Sequence, residues 1–557
     1  MDITKSSLYQ AFRKLSQNSE KSVQSGRSLS DLDSYLHVER PIEKILRNKM
    51  DEVDRNGGGI VLLVGSAGDG KSHLLSRIRR DYNWGDDSFY NDATASCSPT
   101  KTAVQTLKEA LVDFCDSAID TTKRKLVLAI NLGKLNAFIE DEEVKNSYSK
   151  IVNATIGIFD GDDATDEVET ERIKIVLFTK EQVFELITGS YENVPVTSNF
   201  LSTILEKIVS ENDDNPFHIA YRHDKQQEGL KESPVLINYE ILRSKSVRET
   251  LVKTVIEAIV RFKLIITPRE FLDFIFSILI YEDIDHYNEK DTYYKALLPT
   301  LFYCGGTNLI LKAVAKLDPV LYSNTGHDKD LATLFTSYAI PNESESRMLE
   351  AGVPACVVKR VNTFYKNNGR DLEATTKFVF RLCHLLSYHS ESTVYNEFIS
   401  LLPRVLTSDT EAMSYVYEMV ARALPRHFGS FYERSNMIPI EVQGGKYKLF
   451  TSLDFEPQPI ESIFDSNHPT CFPLYINLSW AIGEKRIQLK VDYQLYTYLS
   501  DLDHGRVVTS YEHGRSTTFG TFARELSSMS NQGEVMIVKF DGTEKKLKNI
   551  FGNVRLG

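Results

Sequence analysis

The chain has 557 residues, of which 42% are hydrophobic and 25% are charged, an ordinary balance for a folded globular protein. This length predicts roughly two to four domains, each large enough for its own core. The formal net charge of −12 excludes a basic field over the whole molecule and disfavours unspecific binding of nucleic acid.

The six cysteines are scattered, without a C-x-x-C pair or a cysteine–histidine cluster at zinc spacing. They predict reduced, buried thiols in a cytoplasmic protein. The N-terminal stretch MDITKSSLYQAFRKL lacks the apolar segment of a signal peptide. The most hydrophobic stretch, residues 264–281, includes Arg269, Glu270 and Asp273, so we expect a core helix there and no membrane span.

The first 55 residues are predicted to be helical. Ser30 and Asp31 suit the cap of one helix, and Pro41 suits the first turn of the next. The segment 35–42 is expected either to cover the adenine of a nucleotide bound further along the chain or to pack as a plain helix.

Residues 59–75, GIVLLVGSAGDGKSHLL, carry the most informative pattern of the chain. The branched apolar run 60–64 predicts a buried parallel strand, and the spacing that follows predicts a helix beginning at Lys71. The residues between match G-x-x-x-x-G-K-[ST], the pattern of a phosphate-binding P-loop. The predicted nucleotide-binding residues are Gly65, Ser66, Ala67, Gly68, Asp69, Gly70, Lys71, Ser72 and His73.

In such a loop, backbone N–H groups surround a phosphate and the helix N-terminus adds partial positive charge. Lys71 is then expected to reach the β- and γ-phosphates of ATP, and the Ser72 hydroxyl to ligate Mg²⁺. His73 is expected to border the nucleotide through its backbone. The alternative without a ligand is a glycine-rich turn between a strand and a helix.

Strands and helices alternate through residues 56–234, the predicted ATPase core. After the first strand, we expect an amphipathic helix at 100–118 and further strands at 88–92, 126–131 and 173–179. The alternation predicts a parallel sheet with helices on both faces, and ligands of such sheets bind at the carboxyl ends of the strands. The predicted residues at that edge are Gly65, Asp92, Asn131 and Thr179.

Hydrolysis in P-loop enzymes usually needs an acid at the end of the third strand, where this chain has Asn131. Its amide oxygen can orient a metal-bound water, so Ser72 and Asn131 are the predicted metal ligands. Asp92 either supplies the missing acid or belongs to a helix N-cap or a turn at 92–94. Thr179 either senses the γ-phosphate or is a plain strand end. Arg269 either reaches the phosphates from a lid or forms a surface salt bridge.

The rest of the chain changes character twice. Two polar inserts, 160–171 and 211–233, are predicted to be loops. Residues 235–430 are predicted to form a helical lid or partner-binding domain, with the clearest helices at 247–262 and 269–279. Residues 431–557 are predicted to form a small α+β domain. Its strand candidates are 446–450, 474–478 and 535–540, and its helix candidates are 493–499 and 518–528.

Taken in order, these patterns resemble the DptF family, the ATPase-like component of phosphorothioation-dependent restriction systems. The resemblance spans most of the chain. The stretches that carry it are 35–43 (YLHVERPIE), 65–73 (GSAGDGKSH), 91–96 (NDATAS), 129–133 (AINLG), 238–242 (NYEIL), 266–270 (ITPRE) and 491–496 (VDYQLY).

The resemblance implies a role in bacterial or archaeal defence, in which partner proteins replace a backbone oxygen of host DNA with sulphur. A restriction complex of companion proteins, including a second ATPase, then damages DNA that lacks this mark. The family pattern also has asparagine at the position of Asn131. DNA is therefore expected to be reached through the complex, without a membrane, and the choice between homo- and hetero-oligomers is open.

Three functions remain open from the sequence. The first is an ATP-hydrolysing subunit of such a complex, acting on unmodified DNA. The second is a scaffold that is gated by nucleotide without hydrolysing it, which Asn131 favours. The third is a P-loop signalling ATPase unrelated to DNA, against which a salt-sensitive affinity for DNA would argue. No nuclease motif is evident in the sequence, so strand cleavage is expected to belong to another chain.

Overall fold

A computed structural model describes most of the chain. The described residues are 5–21, 31–66, 69–91, 102–160, 169–178, 181–189, 194–283, 293–304, 306–322, 325–337, 340–366, 372–428, 437–440, 447–452, 456–460, 462–465, 468–506, 508, 517–529, 534–539, 543–550 and 553–556. Four predicted site residues lie outside them: Ala67, Gly68, Asp92 and Thr179.

The chain divides into two compact units. Unit 1 comprises Met1–Glu185 and Thr197–Glu391, and unit 2 comprises Leu186–Val196 and Ser392–Gly557. The division into four domains at residues 55, 234 and 430 stays a prediction.

Unit 1 begins with helices, as the sequence predicts. They are α1 (Ser7–Lys21), α2 (Asp31–Leu36) and α3 (Pro41–Arg55). Pro41 occupies the first turn of α3, where its missing N–H removes no helical hydrogen bond.

A four-stranded parallel sheet follows, with the strand order β2-β3-β1-β4. Its strands are β1 (Gly59–Gly65), β2 (Phe89–Asn91), β3 (Lys125–Asn131) and β4 (Ile173–Leu177). Every residue of β1 is buried, because β3 pairs with one edge of this strand and β4 with the other. The register places Gly65 opposite Asn131, so the carboxyl ends of β1 and β3 are level.

Helices cover both faces of the sheet, which confirms the predicted layout. Val61 and Leu63 pack against α3 and α4 (Lys71–Asp81), whereas Ile60, Leu62 and Val64 pack against the helices on the other face. Those helices are α5 (Ala103–Ala110), α6 (Leu132–Glu140), α7 (Glu142–Ser147), α8 (Ser149–Thr155) and α9 (Gly157–Asp160).

The single helix predicted at 100–118 is wrong in its length. Helix α5 ends at Ala110 and a short 3-10 helix follows at Val112–Phe114. The segment is amphipathic all the same, because Leu107, Leu111 and Phe114 are all buried against the sheet.

Helices dominate the remainder of unit 1, and from residue 235 onward this confirms the predicted helical region. They are α10 (Asn199–Val209), α11 (Pro216–Lys225), α12 (Pro234–Leu242), α13 (Lys245–Phe262), α14 (Pro268–Leu279), α15 (Leu298–Tyr303), α16 (Leu309–Val314), α17 (Thr325–Ser337), α18 (Asn342–Glu350), α19 (Ala355–Lys366) and α20 (Leu372–Leu385). Two short strands, β5 (Glu185–Leu186) and β6 (Val196–Thr197), precede them in the chain, each with one residue in unit 1 and one in unit 2.

The loop predicted at 211–233 is also wrong, since α11 lies inside it. Five residues of this polar sequence are buried: Phe217, His218, Ala220, Tyr221 and Asp224. Burial of these groups outweighs the weak local signal for a helix.

Unit 2 combines helices with antiparallel sheets, which confirms the predicted α+β character. Its helices are α21 (Thr393–Leu406), α22 (Thr410–His427), α23 (Tyr493–Asp503) and α24 (Thr517–Met529). Its strands are β7 (Met437–Ile440), β8 (Tyr447–Ser452), β9 (Glu456–Pro457), β10 (Tyr475–Ile482), β11 (Lys485–Asp492), β12 (Glu534–Lys539), β13 (Glu544–Ile550) and β14 (Asn553–Leu556). They form one sheet in the order β14-β13-β12-β8-β7 and another in the order β11-β10-β9. Within the described residues of both units, no helix combines the length and the apolar character that crossing a bilayer requires.

Candidate functional site

The strand order creates a crevice at the carboxyl ends of β1 and β3. From β1 the chain crosses to β2 in one direction, and from β3 it crosses to β4 in the other. The two connections also use opposite faces, since α4 packs on one face of the sheet and α6–α8 pack on the other. The loops that leave these neighbouring strands therefore separate, and ligands of open parallel sheets bind at such points.

The loop after β1 is closed tightly on itself at this crevice. Asp69 accepts a hydrogen bond from the Ser66 N–H through its Oδ2 atom. A Cβ atom at position 65 would lie 2.8 Å from Cβ of Phe178, so the close approach requires glycine there. Gly70 has a φ of +92° and ends the loop immediately before α4.

Lys71 begins α4 and folds back over the loop. Its Nζ donates a hydrogen bond to the Ser66 carbonyl and lies 4.0 Å from Oδ2 of Asp69. Only 9% of the residue is exposed. Burial lowers the pKa of Lys71, against the opposing attraction of Asp69. Burial likewise raises the pKa of Asp69 despite its proximity to Lys71. The ammonium group is thus poorly hydrated, which strengthens its attraction for an anion.

The segment ahead of α3 lies against the same loop. Arg40 Nη2 donates to the Asp69 carbonyl at 3.1 Å, and its guanidinium stands 5.0 Å from the centre of the Phe178 ring. His37 Nδ1 lies 3.3 Å from Nε2 of His73. The structure therefore brings part of the predicted adenine-covering segment to the loop, and it places the His73 ring beside that segment.

The start of α14 also reaches the loop. A Cβ atom at Gly70 would lie 3.7 Å from Cγ of Pro268, the first residue of α14. A capping box fixes this helix end, because Thr267 accepts from the Glu270 N–H and Glu270 accepts from the Thr267 N–H. Arg269 is the second residue of α14, so the structure brings the helix of Arg269 to the loop. The two segments are about 200 residues apart in the chain, and spacing along a sequence does not predict contacts at that separation.

Ser72 has a polar neighbour that the sequence analysis did not select. Its Oγ donates to Oδ1 of Asn91 at 3.3 Å, and Asn91 is the last residue of β2. The sequence predicts the acid Asp92 at the end of this strand. Asn91 directly precedes Asp92 in the sequence. A strand that ends one residue earlier than predicted puts the Asn91 side-chain amide at the carboxyl edge of the sheet.

Asn131 has a structural task at the end of β3. Its Oδ1 accepts the N–H of Gly133 at 2.8 Å and so caps the N-terminus of α6. An amide oxygen has two acceptor positions, so one remains for a further donor. The side chain is neutral, and part of its hydrogen-bonding capacity is already used.

Comparison with known proteins identifies no relative: no protein-family model, no curated protein and no solved structure matches this chain. The candidate site is therefore defined by the residues of this chain alone. Those described residues that the structure brings together at the crevice are Gly65, Ser66, Asp69, Gly70, Lys71, Ser72, Asn91 and Asn131.

Proposed function

We propose that this chain binds ATP with Mg²⁺ at the β1–β3 crevice and hydrolyses it as a subunit of a phosphorothioation-dependent DNA restriction complex. One observation carries the nucleotide part of the proposal. A lysine and a serine open a helix at the carboxyl end of β1, beside β3, where the two connections of the sheet diverge.

The residues at the crevice fit a nucleotide. Among the described residues, no side chain caps the N-terminus of α4, and its first turn has no acidic residue. The backbone amides of that turn are consequently available to phosphate oxygens. Lys71 supplies the cation at this end of the helix, and Arg40 places a second one at the loop.

Mg²⁺ would be held by the hydroxyl of Ser72, with Asn91 close enough to accept from a metal-bound water. When bound, the ion neutralises charge that develops on the phosphates. The protein's own residues bind and orient the substrate: Lys71 pairs with the phosphates after leaving the Ser66 carbonyl, and Gly70 keeps the helix end accessible.

The restriction role rests on the resemblance to the DptF family. The net charge of −12 agrees with DNA being contacted through companion proteins, including the second ATPase of that system, because this chain has no overall basic field. Damage to unmodified DNA is then the task of the complex, and nucleotide turnover is the task of this subunit.

A scaffold that binds ATP without hydrolysing it is the second candidate. Asn131 favours it, since the residue is neutral at the position of the usual acid and spends one acceptor position on capping α6. A partner could complete the site in that case, because a neutral amide is a poor base.

The test is ATP binding and turnover by the purified full chain beside Lys71→Ala, with Lys245→Ala as the control. Lys245 has the same chemistry, but its side chain is 84% exposed on the surface. We expect the Lys71 variant to bind ATP at least tenfold more weakly and to lose turnover, while the control matches the native chain.

Each other result is equally informative. Binding of Mg-ATP without turnover by the native chain would select the scaffold. Equal binding by the native chain and Lys71→Ala would overturn the nucleotide site. Turnover that responds neither to companion proteins nor to unmodified DNA would remove the restriction role and leave the ATPase.

A further inference from the structure

A cluster of two histidines and a glutamate lies in the helical part of unit 1, apart from the crevice residues. His327 belongs to α17, His384 to α20, and Glu391 follows α20. One ligand-type atom from each of the three lies within 4.8 Å of the other two. His327 is buried and the other two side chains are half-buried, so the cluster is not a chance group of surface charges.

His327 contacts both of the other side chains. His327 Nε2 lies 2.9 Å from Oε1 of Glu391, and the two imidazole rings meet edge to face with their centroids 4.9 Å apart. Phe380 packs against both rings, at 5.2 Å from His327 and 4.6 Å from His384. This apolar wall limits the access of water to the cluster.

The side chain of His384 is half-buried, and its ring packs against His327 and Phe380. Within the described part of the chain, no hydrogen bond involves either ring nitrogen of His384.

One buried ion pair and two hydrogen bonds hold the elements that carry these residues. Arg381, one turn before His384, donates to both carboxylate oxygens of Asp318 at 3.1 Å and 2.6 Å. Glu257 of α13 accepts from Tyr388 and Ser390, both at 2.9 Å, and so fixes the segment that leads to Glu391. Ligands whose supporting groups are anchored in this way keep their geometry when an ion binds.

The cluster borders a cleft. His384 and Glu391 line it together with Tyr388, His389, Glu257 and Tyr303. The cleft has room for a water-sized donor beside two of the three side chains.

We propose that His327, His384 and Glu391 form a binding site for a transition-metal dication of the Zn²⁺ class. Two imidazole nitrogens and one carboxylate select such an ion over Mg²⁺ or Ca²⁺, which prefer oxygen ligands alone. Three protein ligands leave the fourth tetrahedral position to water or to a molecule in the cleft. The ion replaces the contact between His327 and Glu391, with small side-chain shifts toward the ligand spacing of about 3.4 Å that tetrahedral zinc requires.

The experiment uses the full chain, stripped with a chelator and titrated with Zn²⁺ and with Co²⁺ alone. We expect one ion per chain with micromolar or tighter affinity, and Co²⁺ absorption typical of low-coordinate nitrogen and oxygen ligands. His384→Gln and Glu391→Gln should each weaken Zn²⁺ binding at least tenfold. His504→Gln serves as the control, because that ring is hydrogen-bonded to its own helix at 2.8 Å from the Ser500 carbonyl.

Glu391→Gln keeps the shape of the side chain, so it tests the site even if His384→Gln fails to fold. Native binding that survives both substitutions would overturn the site. Native binding as weak as in those variants would do the same and leave only a contact between His327 and Glu391, with the His384 ring packed edge to face on His327. The proposal does not rest on ATP binding, so Lys71→Ala should leave the Zn²⁺ affinity unchanged.

Discussion

At the scale of single residues, Glu43 is an unusual group near the crevice. It is 2% exposed and lies beside the His37 ring, with Nε2 at 3.2 Å, and beside two cationic side chains, Arg47 at 2.7 Å and Arg77 at 3.6 Å. Burial opposes its ionisation, but the contacts with His37 and Arg47 outweigh burial and lower the pKa of Glu43 from 4.5 to about 2. The carboxylate thus ties the segment ahead of α3 to α3 and α4.

This shift predicts an acid-sensitive unit 1. The folded-state pKa is lower than the unfolded one, so the stabilisation is fully present above about pH 4.5 and is lost as the pH falls toward 2. Its size is on the order of 3 kcal/mol. Thermal unfolding between pH 7 and pH 3 should show a smaller loss of stability in Glu43→Gln than in the native chain.

Glu142→Gln is the matched control, because the Glu142 side chain is 90% exposed. It should follow the native pH profile. Identical profiles for the native chain and Glu43→Gln would show that Glu43 titrates normally and would contradict the role assigned to it.

At the scale of elements, the N-terminal end of α1 is hydrogen-bonded to a residue more than 200 positions later in the chain. The carboxylate of Asp224, in α11, accepts from the Ser6 hydroxyl at 2.6 Å and from the N–H groups of Ser7 and Leu8 at 3.0 Å and 2.9 Å. The Phe12 ring stacks on Phe217 at 5.2 Å. Asp224 is therefore the N-cap of a helix that it does not belong to.

Asp224→Ala should release α1. The substitution leaves the buried Ser6 hydroxyl and two helix N–H groups without their acceptor, at a cost of about 2–3 kcal/mol. The substitution should accelerate hydrogen exchange more in α1 than in α3. Asp224→Asn should recover part of the protection of α1, because its amide oxygen can still accept hydrogen bonds. Unchanged exchange in α1 would show that apolar packing alone holds the helix.

The elements with a strong local pattern could be predicted from sequence. The run 60–64 and the periodicity of 247–262 encode burial directly, and the structure has β1 and α13 there. Helix α11 was missed because its apolar side chains are few and its buried Asp224 looks like a surface acid in sequence.

Contacts between distant elements account for the rest of the site. The glycine loop was recognisable because its residues are consecutive. The approach of Pro268 to Gly70, and the meeting of His327 with His384 and Glu391, depend on how helices pack, which spacing along the chain does not encode.

At the scale of the whole molecule, each unit has a core of its own. The sheet of unit 1 is buried on both faces, and unit 2 contains a separate cluster of Phe450, Met536 and Val538. The proposed nucleotide and metal sites both belong to unit 1. Ligand binding should accordingly stabilise that unit selectively.

The two tryptophans of the chain make this testable, because Trp84 belongs to unit 1 and Trp480 to unit 2. Trp480→Phe leaves Trp84 as the fluorescent reporter of unit 1, where it packs on Tyr82 and Phe89 with ring centroids 5.7 Å and 6.1 Å apart. Trp84→Phe leaves Trp480, which is 2% exposed, as the reporter of unit 2.

Mg-ATP at 100 times its Kd should stabilise the unit 1 transition by about 2.7 kcal/mol and leave the unit 2 transition in place, since only a state that binds the ligand gains from it. Lys71→Ala in the Trp480→Phe background should abolish the shift. A shift of equal size in both reporters would instead mean that the units unfold as one cooperative body, and the nucleotide would then act on the stability of the entire chain.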